Sequence, residues 1–271
     1  MPKNSIVVRS LDAHADLLAC VALQQATWGK QFRELVPPAM LLVVEKMGGI
    51  LAGAFDGDRL VGFVFGVTGL KDGRLAHWSH MLAVDERLRD RGIGRRLKQY
   101  QRDRLAAMGV DRMYWTYDPL VARNAHLNLN RLGARVFEYV RDMYGDDPAS
   151  TMDAVIGTDR FVVEWDLAAP PPTSQDGQMD RRTDGQTDRG TDRPPIIDLE
   201  SDELPEIDPI GVAIPADIHE LTERGPDEAR AWRAATRRAF EHYLPSGYRV
   251  TRLETAPDTD RSYYVLERSA T

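Results

Sequence analysis

Apolar positions recur with two periods over the first two thirds of this chain. Short runs bounded by turn residues read as strands: Ile6–Arg9, Ile50–Phe55, Leu60–Val67, His77–Val84, Arg112–Tyr117, Arg135–Tyr144 and Phe161–Leu167. Longer stretches read as helices. Asp12 is the expected N-cap of one that reaches Trp28. Pro37-Pro38 opens a second, carrying Met40, Leu41, Val44 and Met47 and stopped by Gly48-Gly49. A third runs from Gly92 to Met108, and Val121–Leu132, closed by Gly133, is a fourth. Asp56-Gly57-Asp58 and Lys71-Asp72-Gly73 mark hairpin turns. This order predicts an α/β (α+β) fold: a central mixed, mostly antiparallel sheet flanked by helices over residues 1–167.

The pattern then breaks. Residues 168–195 hold Pro170-Pro171-Pro172 and a Thr-Asp pair every fourth residue at Thr183, Thr187 and Thr191. With almost nothing apolar to bury, this segment is expected to be a disordered linker or insertion. Residues 196–271 regain a pattern. Ile210–Ile214 reads as a strand, and Gly225-Pro226 starts a helix with Ala229, Trp232, Ala239, Phe240 and Tyr243 on one face. Tyr248–Leu253 and Tyr263–Leu266 form a hairpin. So small an αβ unit is expected to pack on the first domain rather than fold alone.

Composition narrows the function classes. The net charge is −7 and the pI about 5.4, which argues against nucleic acid as a partner. The single cysteine, Cys20, excludes an intramolecular disulfide and a multi-cysteine metal site, and its apolar neighbours predict a buried thiol. No signal peptide or spanning run is visible, so a cytoplasmic protein with no membrane partner is expected.

Against that acidic total, Arg87–Arg104 carries eight Arg/Lys and two Asp, a local net of +6. The island begins at Arg89-Asp90-Arg91-Gly92-Ile93-Gly94, between the His77–Val84 strand and the basic helix. Glycines two apart allow a tight turn and leave backbone N–H groups uncovered. At a helix N-terminus those groups have no intrahelical partner, and the helix dipole adds positive potential. Such a turn cradles phosphate. The third glycine of a dinucleotide fingerprint is absent, since Leu97 stands there.

The spacing Arg89-x-x-Gly92-x-Gly94 after Val84 resembles the acyl-CoA motif of the GNAT family, the Gcn5-related N-acetyltransferases. The strings around Trp115–Leu120 and Asn128–Ala134 resemble a poorly characterised subgroup with a C-terminal extension. The resemblance implies acetyl-CoA, or another acyl-CoA, as cosubstrate and no metal. The pyrophosphate would lie on Arg89, Asp90, Arg91, Gly92, Ile93, Gly94, Arg95 and Arg96. Backbone groups of Leu82, Ala83 and Val84 would take the pantetheine arm like an added strand, with Asn124 bonding its amides. It also implies a small-molecule amine acceptor, and a homodimer is compatible with it.

Acyl transfer to an amine needs a proton acceptor and a group that quenches the leaving thiolate. The family commonly has Glu on the strand before the glycine turn. This strand offers His77, Ser79 and His80 instead. Alternation puts His80 with Trp78 and Leu82 and makes it the candidate base; two histidines three apart on a strand do not chelate a metal. The family's usual tyrosine falls at Leu129, so Tyr117 is the candidate acid, with Tyr139, Tyr144 or water as other sources. Trp28 and Trp115 are candidate walls for the acceptor. The expected function is N-acetyl transfer from acetyl-CoA to a small primary amine by direct attack. The alternative is a GNAT-fold sensor or assembly protein that binds acyl-CoA without turnover.

Overall fold

A computed structural model describes residues 6–30, 32–145, 151–169, 193–256 and 261–269. Two-residue turns organise the first half. β2 (Ile50–Asp56) turns through Gly57-Asp58 into β3 (Arg59–Lys71), and Asp72-Gly73 turns β3 into β4 (Arg74–Val84). Asp72 and Gly73 both have positive φ, 52° and 76°, the backbone that a tight hairpin of matching twist requires. β1 (Val7–Ser10) pairs with β2. With β5 (Arg112–Tyr117), β6 (Arg135–Val140) and β7 (Arg160–Asp166), these strands form one sheet in the order β1-β2-β3-β4-β5-β7-β6. Every neighbouring pair is antiparallel except β4–β5.

Alternation along the strands builds a core on each face. Leu51, Phe55, Phe63, Phe65 and Met81 pack with Leu17 and Cys20 of α1 (His14–Trp28) and Leu41 of α2 (Pro38–Lys46). Ala52, Ala54 and Val64 face the other way, onto Ile93 and Leu97 of α3 (Ile93–Ala107). Cys20 is fully buried, and burial pushes its thiol up to about 12, which makes it inert. Asp12 is not the N-cap of α1: Ala13 is, without a side-chain cap bond. Asp16 instead supplies first-turn negative charge and is held by Arg9 at 2.6 Å.

The expected fourth helix has two parts, an α turn at Ala122–Ala125 (α4) and a π turn at His126–Arg131. Sequence periodicity carries no signal for the extra residue in that turn. α5 (Thr151–Ile156) was not expected; it follows a segment outside the described residues. The expected linker lies mostly outside them too, at 170–192.

Beyond it, β8 (Ile196–Ile197), β9 (Ile210–Pro215), β10 (Tyr248–Ala256) and β11 (Arg261–Arg268) make a second sheet in the order β10-β11-β9-β8. α7 (Pro226–Tyr243) buries the five residues read as its apolar face. α6 (Ile218–Arg224) is an addition to the expected elements. Its start was legible, since Asp217 accepts from the N–H groups of His219 and Glu220 at 2.9 and 3.1 Å.

Phe240 of α7 and Tyr264 of β11 enter the core beside Tyr117 and Phe161, their rings 4.7 and 5.5 Å from Phe161. Arg233 Nη2 reaches Asp118 at 2.5 Å, Arg237 Nη2 reaches Asp159 at 2.6 Å, and Asn130 exchanges two hydrogen bonds with the Leu253 backbone. The small sheet is thus continuous in packing with the α3–α4 face of the large one.

Candidate active site

The site begins where the large sheet splits. β4 and β5 share only the His77–Met113 and Trp78–Tyr114 positions, after which β5 stays with β7 as far as Tyr117–Phe161. From Ser79 to Val84 the β5-side edge of β4 is therefore open, while its other edge remains on β3. An open strand edge presents backbone N–H and C=O groups to whatever enters the gap.

A β-bulge sits at the mouth of this gap. Phe65 pairs with Met81 and Val67 with Trp78, so Ser79 and His80 together oppose Gly66. A Cβ on Gly66 would lie 2.2 Å from His77 Nε2 and 2.6 Å from the Trp78 carbonyl oxygen. Gly66→Ala is accordingly expected to lose about 1–3 kcal/mol in urea unfolding. An unchanged midpoint would mean that the bulge accommodates the methyl group.

The bulge corrects the face assignment made from simple alternation. His80 stands edge-on to Phe65 on the α1–α2 face, ring centroids 6.2 Å apart. Leu82 packs with Ile93 and Leu97 on the α3 face. The two do not share a face.

At the far end of the open edge, Gly92 caps α3 in the left-handed region with φ 73°, and Asp90 also has positive φ, 61°. The Arg96 N–H donates to the Gly92 carbonyl at 3.1 Å. The N–H groups of Ile93, Gly94 and Arg95 therefore precede the intrahelical ladder and face outward at the positive end of the dipole. A Cβ on Gly92 would meet nothing within 4 Å, and one on Gly94 would meet Leu82 and Leu127 at 3.6 and 3.9 Å. The cradle is thus open above Gly92. Arg91 and Arg95 are exposed around it. Arg89 pairs with Glu86 at 3.2 Å, and Arg96 turns away to the Ile6 carbonyl at 2.5 Å. Asn124 lies half-buried in α4.

On the α1–α2 face the exposed His80 imidazole has its pKa lowered by partial burial, an effect that Glu34 opposes. Below the usual 6.5, it is neutral at physiological pH and able to accept a proton. Trp28 stacks on Phe32 at 5.3 Å and meets Phe63 edge-on at 6.1 Å. Phe63 and Phe65 are two apart on β3, so the Trp28–Phe32 stack and His80 line the same face. Thr116 of β5 is bonded there to the Tyr144 hydroxyl at 2.9 Å.

The α3 face holds a buried polar chain that sequence reading did not foresee. Thr68 Oγ1 donates to the Gly48 carbonyl and so accepts from His77 Nδ1, both at distances under 3 Å (2.8 and 2.9 Å). His77 Nε2 then accepts from Gln101 Nε2 at 2.9 Å, and Gln101 Oε1 accepts from the Ser79 hydroxyl at 2.8 Å. Lys98 Nζ donates to Ser79 Oγ at 2.7 Å and lies 3.8 Å from the centroid of Trp115. Burial, with Lys98 nearby, lowers the His77 pKa to about 3, so this histidine is a neutral structural link.

Trp115 belongs to this face as well, donating to Asn128 Oδ1 at 3.1 Å; Trp28 and Trp115 therefore do not line one wall. Tyr117 lies in the core against Phe161 and Tyr264, 4% exposed, its hydroxyl without a hydrogen bond of normal geometry among the described residues and its pKa pushed up by burial. Tyr139 bonds Asp159. Among the described residues, no cluster of three or more His, Cys, Asp or Glu could hold a metal ion, and no helix is long and apolar enough to cross a membrane.

Comparison with known proteins agrees with this layout. The chain resembles, in fold, the NatC complex bound to Gag peptide and CoA, at 15% identity over 60% of this chain and 98% of that one, TM-score 0.49. It likewise resembles the ribosomal-protein-S18-alanine N-acetyltransferase of Escherichia coli (16%, 62% and 98%, TM-score 0.48) and aminoglycoside 6'-acetyltransferase type Ii (18%, 61% and 99%, TM-score 0.48). No curated protein matches the sequence. Residues 18–133 match the sequence model described as the acetyltransferase (GNAT) family, and that stretch contains the opened strand edge, the bulge and the glycine turn. The chain therefore carries, over residues 18–133, a domain of the GNAT acetyltransferase family.

Proposed function

We propose that this protein is an acyl-CoA-dependent N-acyltransferase that moves an acetyl group from acetyl-CoA to the primary amine of a small molecule. The observation that carries this reading is the open β4 edge, Ser79 to Val84, running into the glycine turn at the start of α3. The uncovered N–H groups at Ile93–Arg95 suit a pyrophosphate, and the edge groups of Leu82–Val84 suit the amides of the pantetheine arm. Asn124, Arg89, Asp90, Arg91 and Arg95 complete that side of the proposed site. The acceptor amine approaches from the opposite face, past Trp28 and Phe32, and His80 takes its proton.

The test is a calorimetric titration with acetyl-CoA and with CoA, beside Gly92→Val. A β-branched residue at φ 73° is strained by about 1–2 kcal/mol and intrudes on the open space above the turn. Affinity is expected to fall by about tenfold or more. Equal affinity in the variant would remove the pyrophosphate from this turn. Binding without thiol release, in the presence of an aminoglycoside or an alanine-starting peptide, would favour the alternative of a non-catalytic acyl-CoA binder. The burial of Tyr117 speaks for that alternative, because it takes the candidate acid out of the gap.

A further inference from the structure

Nothing so far quenches the leaving thiolate. Lys98 stands at the point where β4 and β5 part. Its Nζ contacts Ser79 on one strand and Trp115 on the other, each the first residue past the last shared position, Trp78–Tyr114. His80 follows Ser79 and projects to the other face. The gap therefore has a nitrogen group on either side, His80 toward the acceptor and Lys98 toward the α3 face, from which the glycine turn delivers its ligand.

We propose that Lys98 is a catalytic acid of this site, giving a proton to the thiolate that departs when the acyl group is transferred. This inference rests on the reading of the site as acyl-CoA-dependent. The acceptor nitrogen forms a bond to the thioester carbonyl carbon, the C–S bond breaks, and its electron pair goes to sulfur. The proton lost by nitrogen passes to His80, and the proton held on Lys98 Nζ passes to sulfur, which yields the free thiol. Exchange with solvent returns His80 and Lys98 to their starting states.

Chemistry supports the role. An ordinary lysine, with a pKa near 10.4, holds its proton more tightly than a thiolate of about 8.5. Lys98 is buried, and desolvation lowers its pKa well below the usual value, which moves the transfer toward balance. The Trp115 ring and the Ser79 oxygen favour the ammonium in turn.

The other neighbours do not compete for it. From β4 come Ser79 and, through Gln101, the neutral His77; from β5 comes Trp115. Glu164 of β7 is engaged by Tyr114 and Arg135, and Arg102 of α3 turns to the Leu167 and Ala169 carbonyls. Among the described residues, no ion pair joins Lys98 to a carboxylate.

The experiment uses the full chain, acetyl-CoA, and hydroxylamine as nucleophile. Hydroxylamine is uncharged at neutral pH and needs neither His80 nor an acceptor pocket. Thiol release is followed from about pH 7 to about pH 10 for the wild type and Lys98→Met, with acetyl-CoA binding measured by calorimetry. The wild-type rate should fall on the alkaline side as Lys98 loses its proton. Lys98→Met should bind acetyl-CoA normally, release thiol about 10²- to 10⁴-fold more slowly and lack the alkaline fall. A flat wild-type profile, no release above buffer from the bound donor, or a variant rate within about threefold of wild type would overturn the proposal. The wild-type profile decides alone if the variant does not fold. A wild type that binds no acetyl-CoA would instead overturn the underlying functional reading.

Discussion

Arg233→Met is expected to destabilise the whole chain by about 3–5 kcal/mol. Arg233 is 3% exposed, and its guanidinium donates from Nε to the Ile156 carbonyl at 3.0 Å and from Nη2 to Asp118 at 2.5 Å. Asp118, itself buried, would keep the Leu120 N–H at 2.8 Å and Arg160 at 3.4 Å, which leaves a carboxylate in the core without its closest countercharge. Nη1 of Arg233 is buried with no partner among the described residues, so part of the guanidinium's desolvation is never offset and the loss should fall toward the lower end.

Because the pair ties α7 to the end of β5, the two sheets should lose stability together in a single urea transition. Adding Asp118→Asn removes the stranded charge and should recover part of the loss, a coupling visible in a double-mutant cycle. Independent unfolding of the C-terminal part, with the rest unaffected, would contradict the shared core.

His80→Ala should reduce turnover by about 10²- to 10⁴-fold with acetyl-CoA affinity unchanged. The imidazole lies on the acceptor face, away from the glycine turn, so its loss should appear in the chemical step and not in donor binding. The direction of the pH profile follows from its environment. The lowered pKa means that the base is free above a value below 6.5. Wild-type kcat/KM should therefore rise with pH through that value and level off at neutrality, for an acceptor whose own titration is known. In His80→Ala the acidic limb should vanish. A loss smaller than about tenfold would return His80 to a surface role beside Phe65.

Much of the fold was legible because its signals are local. Gly57 and Asp72-Gly73 fix the hairpins, Pro38 opens α2, and the alternation of β2 and β3 assigns both core faces. The glycine turn was legible for the same reason, since positive φ and helix start occur within a few residues. What escaped depends on register between distant segments. The bulge at Ser79-His80 exists only relative to Gly66, and it separates His80 from Leu82. Tyr117 was read at the end of a strand, but rings from residues more than a hundred positions on bury it. The relay from Thr68 to Lys98 joins three elements through five side chains. Of these only Lys98 sat within a conspicuous motif, and there its charge counted as part of a basic helix face.

The π turn at His126–Arg131 imposes a counting rule on evolution and on engineering. Three of its successive contacts point to different places: Leu127 toward Gly94 at the glycine turn, Asn128 to the Trp115 indole, and Asn130 to the Leu253 backbone of the small sheet. One residue of α-helix corresponds to about 100° of rotation. Deleting a single residue here would restore an ordinary helical turn and swing everything after it by about that angle. Leu127 could then keep its place only if Asn130 lost Leu253. Length changes that surface loops absorb freely should be rejected in these six positions, even where every substituted side chain would fit.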